Sequence, residues 1–223
     1  MSVDKSFLVL RLEGPLQSWG FDSQYSRRKT GLMPTKSAIA GMCCAALGLP
    51  RGSVEEGAFL VSFSTIQMTS IAIPRNGVRN NLSVLRLEDY HTILKTRTAE
   101  GKLKNCHITH RQYLMDAAFG VLLEGSSSVM NRLAIALKDP VWGVWLGRKT
   151  CLPSAPIFAG LTENRDDALH LLIGEKPIES FTRQEDVQKF SEGHDSLPDT
   201  PVSFAIEHRL FSPRRVRITQ GVS

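Results

Sequence analysis

Apolar positions along the chain fall into short blocks, and the period within each block names an element. Phe7-Leu8-Val9-Leu10-Arg11-Leu12 is a nearly unbroken apolar run closed by Gly14-Pro15, the mark of a buried strand. A polar loop follows with Trp19, Tyr25 and the basic run Arg27-Arg28-Lys29. Pro34-Thr35 then opens a helix: Thr35 caps it, Ala38 to Leu47 is apolar and small, and Gly48 with Pro50 ends it. Ser53-Val54-Glu55-Glu56 has capping-box spacing and predicts a short second helix. From Phe59 to Ile73 β-branched and aromatic residues dominate, which predicts a strand. Residues 74–113 lose apolar periodicity and gain charge.

Regular patterning resumes at Ala117 to Leu123, a strand ended by Glu124-Gly125. The serines at 126–128 can cap a helix running to about Lys138, with Val129, Leu133, Ala136 and Leu137 on one face. Val141 to Leu146 reads as the next strand. The order is β-α-β, long insertion, β-α-β. That predicts an α+β class, a ferredoxin-like (RRM-like) βαββαβ domain over residues 1–149 with an insertion at about 75–113. After Pro153 and Pro156 the character changes. The acidic, Gly/Pro-punctuated stretch 161–201 predicts loops and short strands. Residues 150–223 read as a small, mostly β region with Phe204, Phe211 and the tail arginines Arg209, Arg214, Arg215 and Arg217. No internal repeat is visible.

Composition narrows the class. The 223 residues are enough for one real core. No run approaches the roughly 20 apolar residues of a membrane span. Met1 to Lys5 lacks the pattern of a signal peptide, so the expected location is the cytoplasm. Cys43, Cys44, Cys106 and Cys151 show no CxxC spacing, which argues for reduced thiols and no metal site. No cofactor motif is present. The net charge is +5, but it is segregated: residues 161–200 carry −6, leaving +11 on the remainder. A segregated basic surface is what a polyanion partner requires.

The insertion concentrates that charge. Arg75, Arg79, Arg86, Lys95, Arg97, Lys102, Lys104 and Arg111 stand against Glu88, Asp89 and Glu100, with Tyr90, His91, His107, His110 and Tyr113 interleaved. Cations neutralise phosphates and flat rings stack on unpaired bases, so this mixture suits single-stranded nucleic acid. The bland alternative is a solvated loop, although loops this long inside a compact domain are usually functional or disordered. Free N–H groups at the helix start, beside Lys36 and after Arg27-Arg28-Lys29, make a second anion site, or else an ordinary cap on a core helix. Trp142 and Trp145 read as core or interface residues, and Arg148 and Lys149 either reach phosphate or face water. There is no GxSxG elbow, Walker loop or HExxH motif. His, Tyr and Lys together can nonetheless run metal-free RNA cleavage. A stand-alone RNA-recognition-like module finds less support, because Phe7 to Leu12 is too apolar to present stacked bases.

Several stretches resemble one family. They are Leu10-Arg11-Leu12-Glu13-Gly14-Pro15-Leu16-Gln17-Ser18-Trp19-Gly20, Pro34-Thr35-Lys36-Ser37, Leu87-Glu88-Asp89-Tyr90-His91-Thr92, Arg111-Gln112-Tyr113-Leu114-Met115-Asp116-Ala117-Ala118-Phe119 and Trp145-Leu146-Gly147-Arg148-Lys149-Thr150-Cys151. In order and spacing they resemble the CRISPR-associated Cas-five proteins, in particular the CasD type of type I-E Cascade, over most of residues 7–160. The resemblance implies a basic β-hairpin thumb and an antiviral ribonucleoprotein role. The subunit would cap the 5′ handle of the CRISPR RNA, between the backbone subunits and the large subunit, and meet target DNA only indirectly. It also implies binding without cleavage, whereas type I-C relatives cut precursor RNA themselves, and that endoribonuclease is the alternative. Combining resemblance and residue chemistry, the expected RNA contacts are Gln17, Ser18, Trp19, Arg27, Arg28, Lys29, Thr35, Lys36, Ser37, Tyr90, His91, Thr92, Lys95, Arg97, Lys102, Lys104, His107, Arg111, Tyr113, Arg148 and Lys149, with no catalytic residue and no metal ligand.

Overall fold

A computed structural model describes residues 4–20, 26–74, 85–98 and 100–221. Tyr25, Arg75 and Arg79 lie outside the described residues. The apolar run forms β1 (Lys5–Glu13), and its lack of alternation has a cause. Leu8, Leu10 and Leu12 enter one core cluster while Phe7 and Val9 enter another on the opposite face. Short strands β2 (Leu16–Gln17), β3 (Trp19–Gly20), β4 (Arg27–Arg28) and β5 (Thr30–Gly31) follow. Helix α1 (Lys36–Leu47) begins at Thr35, whose side chain accepts from the Ala38 amide, and ends at Gly48 in the left-handed conformation.

The second helix is longer than the sequence pattern suggests. α2 (Val54–Ser64) takes in the first part of the stretch expected to be strand, and β6 (Gln67–Ala72) starts only after Ile66. Ser53 Oγ accepts from the Glu56 amide at 3.1 Å, while Glu56 Oε2 accepts from the Gly52 amide at 2.8 Å. With its start secured, the segment buries Phe59, Leu60 and Phe63, a helical spacing, and leaves Val61 exposed.

The basic insertion forms a β-hairpin of β7 (Arg86–Arg97) and β8 (Leu103–Met115), paired from Arg86↔Leu114 to Arg97↔Leu103. It leads into β9 (Ala118–Ser126) and α3 (Ser127–Lys138), whose buried residues are Met130, Leu133, Ala134 and Leu137. Residues 141–146 are not the expected strand. Val141 and Trp142 donate backbone bonds to Ala46 and Ala45 at 3.0 and 3.1 Å, so this apolar stretch straps the end of α1. The fourth strand is instead β10 (Phe158–Thr162), beyond the expected boundary at 149.

The C-terminal stretch carries α4 (Arg165–Ile173), which the acidic composition concealed. Asn164 caps it, accepting from the Asp167 amide at 2.8 Å, and Asp166 and Asp167 suit its positive end. Then come β11 (Arg183–Asp186), β12 (Asp195–Ser203) and β13 (Leu210–Thr219). All join one seven-stranded sheet, ordered β10-β1-β9-β6-β11-β13-β12, with antiparallel pairs throughout. Its first four strands have an order compatible with the ferredoxin-like arrangement. The larger core cluster unites residues of α1, α2 and α3 with one sheet face, and α4 packs on the other.

Candidate nucleic-acid interface

The root of the hairpin gathers segments that are far apart in sequence. β2 pairs with the end of β8 through Leu16↔Met115 and Gln17↔Leu114. β4 lies parallel beside β8, with Arg27 opposite His110 and Arg28 opposite Arg111. The His110 amide donates to the Ser26 carbonyl at 2.7 Å, which fixes the start of the basic run against the hairpin. A third segment closes the junction. The Ser18 amide donates to the Leu146 carbonyl at 3.0 Å, and Arg148 donates to the carbonyls of Arg28 at 2.7 Å and Gln112 at 3.3 Å. The Arg148 guanidinium also covers the Tyr113 ring, 4.8 Å from its centre. Gly147, at φ +96°, makes this approach possible, since a Cβ there would lie 1.8 Å from the Ser18 carbonyl oxygen.

The root therefore presents Arg27, Arg28, Lys29 and Lys149 as exposed cations. Arg111, half-buried, is aligned by donation to Thr109 Oγ1 at 3.2 Å. Further out, Tyr90 and His110 are cross-strand partners on the hairpin. The Tyr90 ring is 60% exposed and meets His110 edge-on at 5.3 Å. His110 Nδ1 lies 3.1 Å from Glu88 Oε1, which holds the imidazole in place. His91 Nδ1 is 3.7 Å from Asp89, and Lys104 Nζ is 3.4 Å from His107 Nδ1. Thr92, Lys95, Arg97, Lys102 and Lys104 are exposed toward the tip. Lys102 pairs with Glu100 at 3.1 Å, and Lys95 adopts φ +54° where the strand distorts. His110 is not among the contacts expected from sequence; its position opposite Tyr90 depends on hairpin register, which composition does not reveal.

Other expected contacts face inward. Gln17 is fully buried, and its Nε2 donates to the Leu12 and Ala117 carbonyls at 3.1 and 2.7 Å. Trp19 is fully buried in the core, edge-on to Phe119. Ser18 and Tyr113 are buried as well. These four build the root from beneath and are not surface platforms, because their apolar or bonded surfaces are worth more inside. The helix start is corrected more sharply. Lys36, an expected RNA contact, is 2% exposed; its Nζ donates to the Ile66 carbonyl at 2.6 Å and to Asp186 at 2.9 Å. Its amide donates to Asp199 Oδ2 at 2.8 Å, and Arg214 bridges Asp186 and Asp199. Burial alone would lower the Arg214 pKa, but its bonds to Asp199 and the two carboxylate charges raise it. The anion predicted at this helix start is Asp199 of the same chain. Thr35 is buried as the cap, with Ser37 Oγ 3.3 Å from its hydroxyl.

Among the described residues no cluster of His, Cys, Asp or Glu suits a metal, and no helix is long and apolar enough to cross a membrane. The family model for CRISPR-associated protein Cas5 matches residues 7–217. The chain is 34% identical over 176 residues to the CRISPR system Cascade subunit CasD of Escherichia coli strain K12, covering 75% of this chain and 76% of the relative. Among solved structures, a chain of a CRISPR RNA-guided surveillance complex superposes with TM-score 0.72 at 27% identity, over 96% of this chain and 89% of the other. A second, described as a Cas protein, gives TM-score 0.66 at 31% identity, over 96% and 95%. By a family match spanning nearly the whole chain and a curated relative above 30% identity, this protein belongs to the CRISPR-associated Cas5 family.

Proposed function

We propose that this chain is the subunit of a type I-E-like Cascade surveillance complex that holds the 5′ handle of the CRISPR RNA. The carrying observation is the hairpin root, where Arg27, Arg28, Lys29 and Lys149 converge beside a protruding basic hairpin. A single-stranded handle crossing that root meets cations on the fixed part and the exposed Tyr90–His110 pair on the hairpin. The relative named as a Cascade subunit and the superposed chain of a guided surveillance complex support this reading. In it, residues 86–115 are the thumb, backbone and large subunits are the neighbours, target DNA is met through the guide, and assembly takes place in the cytoplasm. Fluorescence anisotropy with labelled handle RNA tests it. The affinity should fall with salt at a slope of about −0.7 per phosphate contact. The Arg27→Glu, Arg28→Glu double variant should lose binding while keeping its thermal melt. Salt-insensitive binding, or a double variant that binds like the parent, would sink the reading.

A second reading rests on Glu88, His110 and Tyr90. A carboxylate holding one imidazole nitrogen leaves the other to exchange a proton, as metal-independent endoribonucleases require. Incubating repeat RNA with the full chain in chelator distinguishes the two. The binding reading expects intact RNA. Site-specific cleavage lost in His110→Ala would establish the endoribonuclease.

A further inference from the structure

The geometry points to a second single-stranded nucleic-acid site, on the sheet face of β11 and β13 away from the hairpin. The hairpin root belongs to the helix-side core, through Trp19, Tyr113 and Leu114. Alternate residues of a strand point to opposite faces, so Asp186 and Arg214 turn toward the buried Lys36 cluster while Arg183, Glu185, Arg215 and Arg217 turn the other way. The acidic segment 161–200 thereby spends two of its carboxylates, Asp186 and Asp199, inside the molecule. Around Glu185 the outer face is rich in arginine. Glu185 sits among three guanidinium groups: Arg165 and Arg183 at 3.1 Å and Arg217 at 3.8 Å. One carboxylate cannot neutralise three cations, and Arg165 and Arg217 keep substantial exposure. Asp166 and Asp167 follow Arg165 in the first turn of α4, so their charge is drawn to the positive end of that helix.

Two residues from Arg217, on the same face, an aromatic platform is already assembled. Phe190 is 75% exposed, and the Arg215 guanidinium lies 4.0 Å from its ring centre. Arg215 is held from behind by the carbonyls of Phe190 and Gly193, at 3.1 and 2.7 Å, and by Ser196 Oγ at 3.3 Å. The nearby Glu192 is paired with Lys189 at 3.8 Å. An exposed phenylalanine standing alone on a surface is ordinary. One fixed on a guanidinium, next to surplus arginines, has the parts that hold one unpaired base and the phosphate beside it. The chemistry is sequence-tolerant, because every base has a π-face.

The test uses a fluorescent twelve-nucleotide oligothymidine as probe on the full chain with its root cations reversed by Arg27→Glu and Arg28→Glu, and labelled handle RNA on the chain without those two changes. The root-reversed protein should bind the probe in a salt-dependent manner. Phe190→Ala and Arg217→Gln, both at exposed positions, should each weaken it by at least about fivefold, and Phe190→Trp should restore it. Handle affinity should not change in any of the three, which separates this site from the hairpin. Unaltered probe binding in Phe190→Ala and Arg217→Gln would overturn the proposal. So would a Phe190→Ala protein that binds the probe normally but drops out of an assembled complex, since that would make Phe190 a protein contact.

Discussion

Lys36 shows how little a residue's type says about its place. A lysine after a basic run, at a helix start, reads as a phosphate contact, yet its ammonium is buried against Asp186 with Arg214 closing the cluster. Nothing in the local sequence carries that information, because the partners lie 150 and more positions away. Removing one member of a buried pair strands the other charge, which costs about 3–5 kcal/mol. Lys36→Glu should therefore lower the urea midpoint sharply, and Lys36→Met should also destabilise by leaving Asp186 and Asp199 underpaired; a midpoint within error of the parent would refute the cluster. The thiols give a second residue-scale test. Burial raises the Cys43 pKa and pushes Cys44 up to about 12, and it raises Cys151 too, whereas Cys106 is exposed on β8. A thiolate-specific reagent should label one cysteine in the native chain, Cys106, and four in denaturant. The same shifts set a pH sign. Unfolded thiols ionise near 9 and the buried ones only higher, so their contribution is present below pH 9 and is lost as pH rises toward 12. The denaturation midpoint should fall between pH 8 and pH 10.5.

Among elements, the hairpin was legible as a protrusion because its charge cannot be buried cheaply and its apolar residues follow no core-forming period. β1, α1 and α3 were legible because burial and capping agreed with their patterns. From Phe59 to Ile73 composition favours strand while spacing favours helix at the start: Phe59 and Phe63 are four apart, a helical interval. Val141 to Leu146 was apolar for a different reason, as a strap over α1. The tip of the hairpin touches nothing in the core, so its loss should be structurally cheap. Replacing residues 98–102 with Asn-Gly, which favours a tight two-residue turn, should leave the thermal midpoint within a degree or two while weakening handle RNA binding. Unchanged binding would move the RNA contact wholly to the root.

At the scale of the molecule, the expected boundary near residue 149 divides a continuous sheet. β10 pairs with β1, and β11 pairs with β6, so both flanks of the β1-β9-β6 unit are supplied by later sequence. That was not legible because β10 is half-buried throughout and lacks an apolar run, and β11 reads Arg-Gln-Glu-Asp. The C-terminal part also supplies Asp186, Asp199 and Arg214 to the α1 start. A fragment of residues 1–149 should therefore fail to fold cooperatively, and the full chain should unfold in one transition. A fragment with a sharp melt of its own would restore the two-part description.

β4 accompanies β8 only at His110 and Arg111, and beyond that point β7 and β8 continue as two strands alone. At about 3.4 Å per residue the unaccompanied arm reaches on the order of 30 Å. A lone two-stranded ribbon of that length is marginally stable in water. Its amides should therefore exchange quickly from Thr92 to Ile108 in the free protein, slowing toward the root. Length here acts as a lever: any rotation at the root is multiplied at the tip.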